Sequence, residues 1–491
     1  MNAKAELGTL EASGLIRVAA YQPELEYLFR HALVQDAAYG SLLKQDRRVL
    51  HKLAAETLLS LYPERRRELA PVIAMHFEQA GDPASAVEHL VVAGEHALER
   101  FAQREAVSFF ARASDLMPAD DPRVDLRMRA AIGTARAGWT FTGLSGAREQ
   151  LERAIEIGGD RVGRKLLGEA YFWVAFLRRM SGESEDSPEL RHALDQVEAI
   201  GVELGDPSAH AIPKAFMGAG VMFNGELRRG AQMLSEALSE LEGKTDPLST
   251  AILSGFLTIT YARLGEFEAA EASLSRAQRY AEQGDEIARL DSLIARVSIL
   301  LERGDIAEGS SLASHCAETS EELGATSCSV AANVLLGQSR LILEDAFGAK
   351  GPLERGLELS QVTYMAPMRT LAQGMLGSVK ARLGDLPAAD TGWKTALAAA
   401  NLAGDRFGEA VTLWGRARTR VRQEKPEWAA ALSDLDTAIG LFDGMGARPS
   451  LARALRDRAQ VLRTIGRAGE ADEADRRARE IAGSIGLKDF S

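Results

Sequence analysis

Three groupings of side chains in this sequence are of kinds that can do chemistry, and each points to a different reaction class. His315, Cys316 and Cys328 offer three soft ligands of the sort zinc takes. Their spacing matches no zinc framework, and both cysteines fall at helix-packing positions, so packing is the better reading. His89 and His96 stand two helical turns apart and can share a face. No third ligand and no His-Glu-x-x-His pattern accompanies them, and they read as surface or groove histidines. Glu183, Glu185 and Asp186, interleaved with Ser181, Ser184 and Ser187, read as an exposed loop between helices. No serine sits in a Gly-x-Ser-x-Gly elbow, and no Gly-x-x-x-x-Gly-Lys-Ser/Thr loop is present to cradle a phosphate. The chain also lacks the sheet that would hold a cyclase's paired aspartates. The expectation is a chain with no catalytic residues, no metal and no cofactor of its own.

The elements that would position any site are legible from composition. At 491 residues the chain is too long for one ordinary core and should be several packed units or a solenoid. Apolar residues at 46% and charged residues at 26% exclude a disordered chain. Aromatics are scarce at 6% while glycines number 45, which suits helices packed closely through small residues. A formal charge of −12 argues against a general nucleic-acid binder. Two cysteines make no disulfide framework, and no long apolar span or secretory leader is read, so a cytoplasmic setting is expected.

One pattern recurs: a glycine, an acidic residue, then apolar and small residues at helical spacing. It reads Gly225-Glu226-Leu227, Gly265-Glu266-Phe267, Gly304-Asp305-Ile306 and Gly384-Asp385-Leu386. Weaker copies begin near Glu344-Asp345, near Pro426 and at Gly466-Arg467. The step is about 40 residues, the range of helix-pair repeats. Each repeat is therefore expected to be a helix, a glycine turn and a second helix, the acidic residue capping or favourably charging the second. A pair cannot bury both its apolar faces, so neighbours must stack. The fold class predicted is all-α: a right-handed superhelix of helix hairpins over residues 67–485, with a short tail at 486–491.

The window from Val87 to Asp120 resembles one complete tetratricopeptide repeat (TPR). Leu90, Ala93, Gly94 and Ala97 match its first helix; Ala106, Phe110 and Ala113 match its second, and Pro118 closes it. Gly218, Gly337 and Gly377 match the first crossing position, and Ala270, Ala349, Ala389 and Ala471 the second. The usual first-helix tryptophan is missing and the period is long, so the later repeats look like longer-helix variants. The resemblance implies a protein-binding solenoid whose first helices line a concave face. Polar or large residues expected at groove-facing turns are Arg263, Asp291, Arg296, Asn333, Arg340, Arg369, Gln373, Arg456 and Gln460, with Trp139, Phe141, Phe172 and Trp173 as a possible aromatic floor. Arg65-Arg66-Arg67, Arg178-Arg179 and Arg228-Arg229 read as solvated helix ends.

Residues 1–66 do not follow the repeat. Leu10 to Val18 reads as a helix, a glycine end and a strand; a turn at Pro23, a strand over Tyr27–Arg30, and two helices follow, a winged-helix-like module. The run from Tyr27 to Tyr39 resembles a segment of bacterial signal-transduction ATPases of the AAA-type (STAND) class, just after their nucleotide-binding domain. Arg47-Arg48-Val49-Leu50-His51 and the stretch from Glu68 through His76–Gly81 to Glu95 continue the likeness. Such proteins carry TPR repeats after the ATPase, and many begin with a class III adenylate or guanylate cyclase. The resemblance implies that His31, with Arg30, contacts the phosphate of ATP or ADP held by an ATPase domain outside this chain. It also implies that this is the sensor half of a longer protein, with the ATPase or cyclase module as partner in cis or trans. Arg47-Arg48 offers little for DNA, since the helix near Val34–Lys44 is nearly uncharged. Repeat signals persist to Ala478, leaving no C-terminal helix-turn-helix. The function expected is a sensor that binds a protein or peptide in the groove and controls an ATPase-linked effector. The alternatives are a free-standing TPR scaffold and a fragment of an ATP-dependent transcriptional regulator.

Overall fold

The computed structural model describes residues 3–20, 25–100, 102–138, 144–183, 187–205, 207–242, 247–283, 286–363 and 365–490. Contacts divide the chain into two compact units, Met1–His96 with Ala111–Asp120, and Ala97–Phe110 with Asp121–Ser491.

The first unit opens with α1 (Ala3–Ala12), an antiparallel ribbon of β1 (Ile16–Ala20) and β2 (Glu26–Phe29), then α2 (Ala32–Ser41) and α3 (Lys44–Leu61). The element order is the one read from the sequence; Pro23 lies outside the described residues. α4 (Arg66–Ala80) packs on α3 through Ala55, Ile73 and Phe77, with Leu58, Leu59 and Leu69 at the margin. α2 buries none of its residues and α3 only Ala55. Leu33, Leu43, Val49, Leu53 and Leu61 are all exposed, Leu33 at 81%. α5 (Pro83–Glu99) and α6 (Gln103–Leu116) carry the TPR-like residues, of which Ala97, Ala106 and Phe110 belong to the second unit together with Arg104. Leu90, Ala93, Ala97, Ala106, Phe110 and Ala113 are all buried.

The second unit is a solenoid of helix hairpins. α7 (Val124–Gly138) pairs with α8 (Leu144–Gly158), α9 (Arg164–Met180) with α10 (Pro188–Leu204), and α11 (Pro207–Phe223) with α12 (Leu227–Glu240). α13 (Pro247–Leu264) and α14 (Phe267–Ala281), α15 (Glu286–Arg303) and α16 (Ile306–Leu323), and α17 (Thr326–Ile342) and α18 (Ala346–Thr363) follow. α19 (Ala366–Arg382) and α20 (Leu386–Ala403), α21 (Arg406–Arg420) and α22 (Trp428–Met445), and α23 (Arg448–Thr464) and α24 (Ala468–Ile485) complete it. From α12 onward each second helix starts just after the turn that the repeat pattern marks. The main apolar core reaches from Val124 to Ala478 but passes over α14–α16, whose buried residues, Ile287 to Cys316 among them, form clusters of their own.

Small residues set the approach within each hairpin, as the crossing positions predicted. A Cβ on Gly377 would stand 2.6 Å from Trp393 Cδ1, and one on Gly218 3.1 Å from both Leu234 Cγ and the Leu234 backbone nitrogen. Trp393 is thereby buried, its Nε1 facing Ser378 Oγ at 3.4 Å.

The acidic member of the turn caps the second helix, as expected, in some repeats and not in others. Glu226 and Glu266 cap nothing, because the longer side chain overshoots the first-turn amides. Asp385 caps Ala388 N at 3.1 Å and Asp345 accepts from Gly348 N at 2.7 Å. Asp305 is instead taken by Arg303 and Lys488, each at 2.8 Å.

Glycine occupies the left-handed position of this turn at 225, 265, 304, 384 and 466; between α17 and α18 the residue there is Glu344, with φ 66°. The conformation costs a side-chain-bearing residue on the order of 1–2 kcal/mol.

Candidate functional site: the inner face of the helical repeats

The first helices of successive hairpins stack on one another. α11, α13, α15, α17, α19 and α21 together line an internal slit. Its walls are apolar, from Phe223, Ile259, Leu335, Met368, Met375 and Phe407 among others, and its polar end holds Arg263, Ser298, Glu302 and Gln338. The free volume is about 50 Å³, room for a water or two and not for a peptide.

The slit is narrow because the solenoid returns on itself. Contacts join residues 151, 183 and 219 positions apart: Arg453 to Glu302, Lys488 to Asp305, and Arg104 to Leu323. Turn glycines are part of this closure. A Cβ on Gly265 would meet Ile485 Cδ1 at 2.9 Å, and one on Gly304 the Asp489 backbone nitrogen at 2.9 Å. Side chains at these turns would hold the later hairpins away.

Charged pairs shut the seam. Arg453 Nη2 donates to the carbonyls of Leu301 (3.3 Å) and Glu302 (2.9 Å), and its Nε donates to Asp489 Oδ2 at 2.7 Å. The Glu302 carboxylate lies 3.6 Å from Arg453 Nη1. Burial pushes Glu302 above the usual carboxylate range, against the pull of Arg453 and Arg263. Arg263 lies 4.0 Å over the Phe407 ring; burial draws its pKa down, opposed by Glu302 and Asp405. Asp405 Oδ1 caps Gly408 N at 2.8 Å while Oδ2 is buried with no hydrogen bond. Burial lifts Asp405 to about 6, offset in part by that bond and by Arg263 and Arg179. The segment Lys488–Phe490 forms a 3-10 turn wedged into this seam, with Phe490 4.2 Å beneath the Arg456 guanidinium.

The residues expected in a groove are distributed over several surroundings. Arg263 is at the slit and Arg456 beside it on the C-terminal turn, where Nη1 donates to Asp489 O at 2.8 Å. Asp291 is half-buried against α13, where Gly255 leaves room for Oδ2; burial lifts its carboxyl to about 7. Asn333 is buried and bonds its own helix through Ser329 O at 2.9 Å. Arg369 and Gln373 are half-buried on α19. Arg296 faces Glu308 at 3.6 Å, and Arg340 donates to Gly348 O at 2.7 Å; both tie a first helix to its own partner. Gln460 lies apart, in a pocket beside Trp428. His31 and Arg30 are exposed at the β2–α2 junction, with Arg30 N bonded to Leu15 O at 3.0 Å.

Three readings change. Phe172 and Trp173 form no floor: they pack in a ring cluster with Phe176 and Phe216, whose rings meet at 4.9 Å. Trp139 and Phe141 lie outside the described residues, as do Ser184, Glu185 and Asp186. Arg179 is a buried residue and not a solvated helix end, donating to Glu183 O at 2.8 Å. His89 is buried as well, on Phe77, with Nδ1 2.9 Å from Ser85 O. Cys316 and Cys328 are free and buried in the α15–α17 core, and burial lifts the Cys316 thiol to about 12.

Sequence reasoning missed Glu302, Phe407, Asp405, Arg453 and Asp489. The partners of Glu302, Phe407, Arg453 and Asp489 are far away along the chain, and the local signals were a charged residue ending the apolar α15 and, for Asp405, a cap on Gly408 that gives no hint of Arg263.

No protein-family model matches the chain. The uncharacterized protein R02095 of Rhizobium meliloti (strain 1021) is 30% identical over 162 residues, 31% of this chain and 15% of that protein's length. The crystal structure of a Rap protein complexed with competence and sporulation factor is similar with a TM-score of 0.55 at 14% identity, over 75% of this chain and 99% of that one. The APC/C hetero-tetramer Cut9-Hcn1 gives 0.50 at 13% identity, over 92% and 90%. These likenesses place the fold among TPR-type helical repeat solenoids. Among the described residues, no helix is long and apolar enough to cross a membrane.

Proposed function

We propose that this chain is a regulatory protein-interaction region, the TPR sensor of a bacterial signal-transduction ATPase, that takes a peptide or protein partner along its inner face. The observation that carries the reading is the slit itself: six successive first helices present an adaptable, methionine-containing wall, closed by a seam in which ion pairs stand beside apolar contacts of Phe267, Ile485 and Phe490. Ionic seams across partly buried surface are poor glue and can exchange one set of partners for another. A partner that binds the open arrangement more tightly than the closed one shifts that equilibrium. The similar Rap fold was crystallised with competence and sporulation factor, which supports a factor as the kind of occupant.

The sensor would act on an ATPase-linked effector, a nucleotidyl cyclase in this proposal, reached through the first unit. The exposed Leu33, Leu43, Val49, Leu53 and Leu61 support a module covering α2 and α3, since so many large apolar side chains left open over two successive helices are a mark of interaction sites. His31 and Arg30, exposed beside it, would meet the nucleotide there. The chain itself would carry out no catalysis. A free-standing TPR scaffold for complex assembly is supported equally by the repeats.

Hydrogen exchange tests the reading. A peptide selected by display against the whole chain should change exchange in α13, α15, α17 and α19. Changes confined to second helices, or ATP turnover by the pure chain, would overturn it.

A further inference from the structure

Glu344 stands where five other turns use glycine, and its side chain is engaged by arginines from the next two repeats. Arg382 Nη1 donates to Oε2 at 2.9 Å, Arg418 Nη2 to Oε1 at 3.3 Å, and Arg422 Nη2 to Oε1 at 3.0 Å, with Arg422 Nη1 closing the fork on Oε2. Three guanidinium groups thus converge on one carboxylate that is still half exposed. The neighbouring carboxylate, Asp457, is bound by Trp414 Nε1 at 2.7 Å and lies 3.6 Å from Arg418, so the cluster keeps a cationic surplus. Arg382 Nε is buried with no hydrogen bond. Beside the arginines opens a pocket of about 160 Å³, lined by Arg418, Arg422, Trp428, Leu435, Val461 and Gln460.

We propose that Arg382, Arg418 and Arg422 form a receptor for a carboxylate side chain of an acidic peptide, held shut here by Glu344, with the adjacent pocket taking an apolar neighbour of that side chain. A planar carboxylate already occupies the arginine fork, so the geometry suits that group. Asp457 at the rim disfavours a doubly charged phosphate. The left-handed backbone of the turn fixes where the Glu344 side chain starts, and its carboxylate, half exposed on that tether, can be reached and displaced by one delivered from outside.

The inference rests on the peptide-binding reading above, and the test separates the two. Fluorescence anisotropy on the whole chain compares a labelled peptide alternating leucine and glutamate with its glutamine counterpart. The glutamate peptide should bind at least about tenfold tighter. Glu344→Gly, which relieves the backbone while freeing the arginines, should tighten it by about fivefold or more. Arg422→Ala should weaken it by a similar factor, and Arg422→Lys, which keeps charge but loses the fork, should weaken it too. Arg422 is exposed, so Arg422→Ala should stay folded, and in Glu344→Gly the relieved turn offsets the loss of the carboxylate among three guanidinium groups; thermal unfolding of both variants should remain a single transition like that of the wild type. Equal binding of the two peptides, no binding of either, or stronger competition by pyrophosphate than by the peptide would each overturn the proposal. Peptide binding indifferent to Glu344→Gly and Arg422→Ala overturns it while leaving the inner-face reading standing.

Discussion

Asp291 shows how a single side chain on a first helix feels the stack around it. Pressed toward Gly255 and near the Cys316 thiol, its carboxyl is lifted by burial from 3.8 to about 7. The folded chain therefore holds a proton that the unfolded chain releases between those values. Stability tied to this group is fully present below about pH 4 and is lost as the pH rises through 7. Asp291→Asn removes the titration. At pH 8 it should be more stable than wild type by about 2 kcal/mol, a figure discounted for the group's partial exposure, and near pH 4 the two should coincide. Urea denaturation at both pH values checks this, and a constant difference would refute it. Asp405, lifted to about 6 by burial, shifts stability in the same direction, so Asp291→Asn should flatten the wild-type slope without abolishing it.

The hairpin is the element the sequence spells out most fully, because its determinants are local. Gly377, Trp393, Gly384 and Asp385 all lie within one repeat, and their order encodes crossing, turn and cap together. Glycine at 377 is required by the close approach of α19 and α20, where Gly392 Cβ would sit 3.3 Å from Gly377 Cα. Gly377→Val would drive Trp393 from its buried position and should cost about 2–3 kcal/mol, measured by thermal unfolding. A loss below about 0.5 kcal/mol would mean that the helices part without penalty. What the hairpin pattern hides is the use made of its ends. Arg340 and Arg296 have the types and spacing of groove residues, yet the first meets Gly348 O and the second Glu308, both on their own partner helices. Glu344 looked like a degraded repeat signal, and only the left-handed backbone with arginines from two later repeats gives it meaning. Partners 38 and 78 residues away leave no periodic trace.

The return of the solenoid on itself follows from pitch, a property summed over many hairpins, which no single repeat encodes. Arg453 is the residue on which that closure can be tried. It bridges Glu302 on α15 and Asp489 near the end of the chain, and it satisfies two carbonyls at the end of α15. Removing the charge leaves Glu302 and Asp489 facing each other with less compensation, and their repulsion should part the turns where they meet. Arg453→Gln is therefore expected to raise hydrogen exchange at residues 486–490, along α23 and at the end of α15. The α11–α12 hairpin, held by local apolar packing, should exchange as in wild type. Added salt should produce the same regional pattern in the wild-type chain, because exposed members such as Lys488–Asp305 are screened first. If the seam were merely part of one cooperative core, the substitution would raise exchange evenly through the second unit. That outcome would deny the repeats an opening motion and, with it, the route by which an occupant reaches the slit.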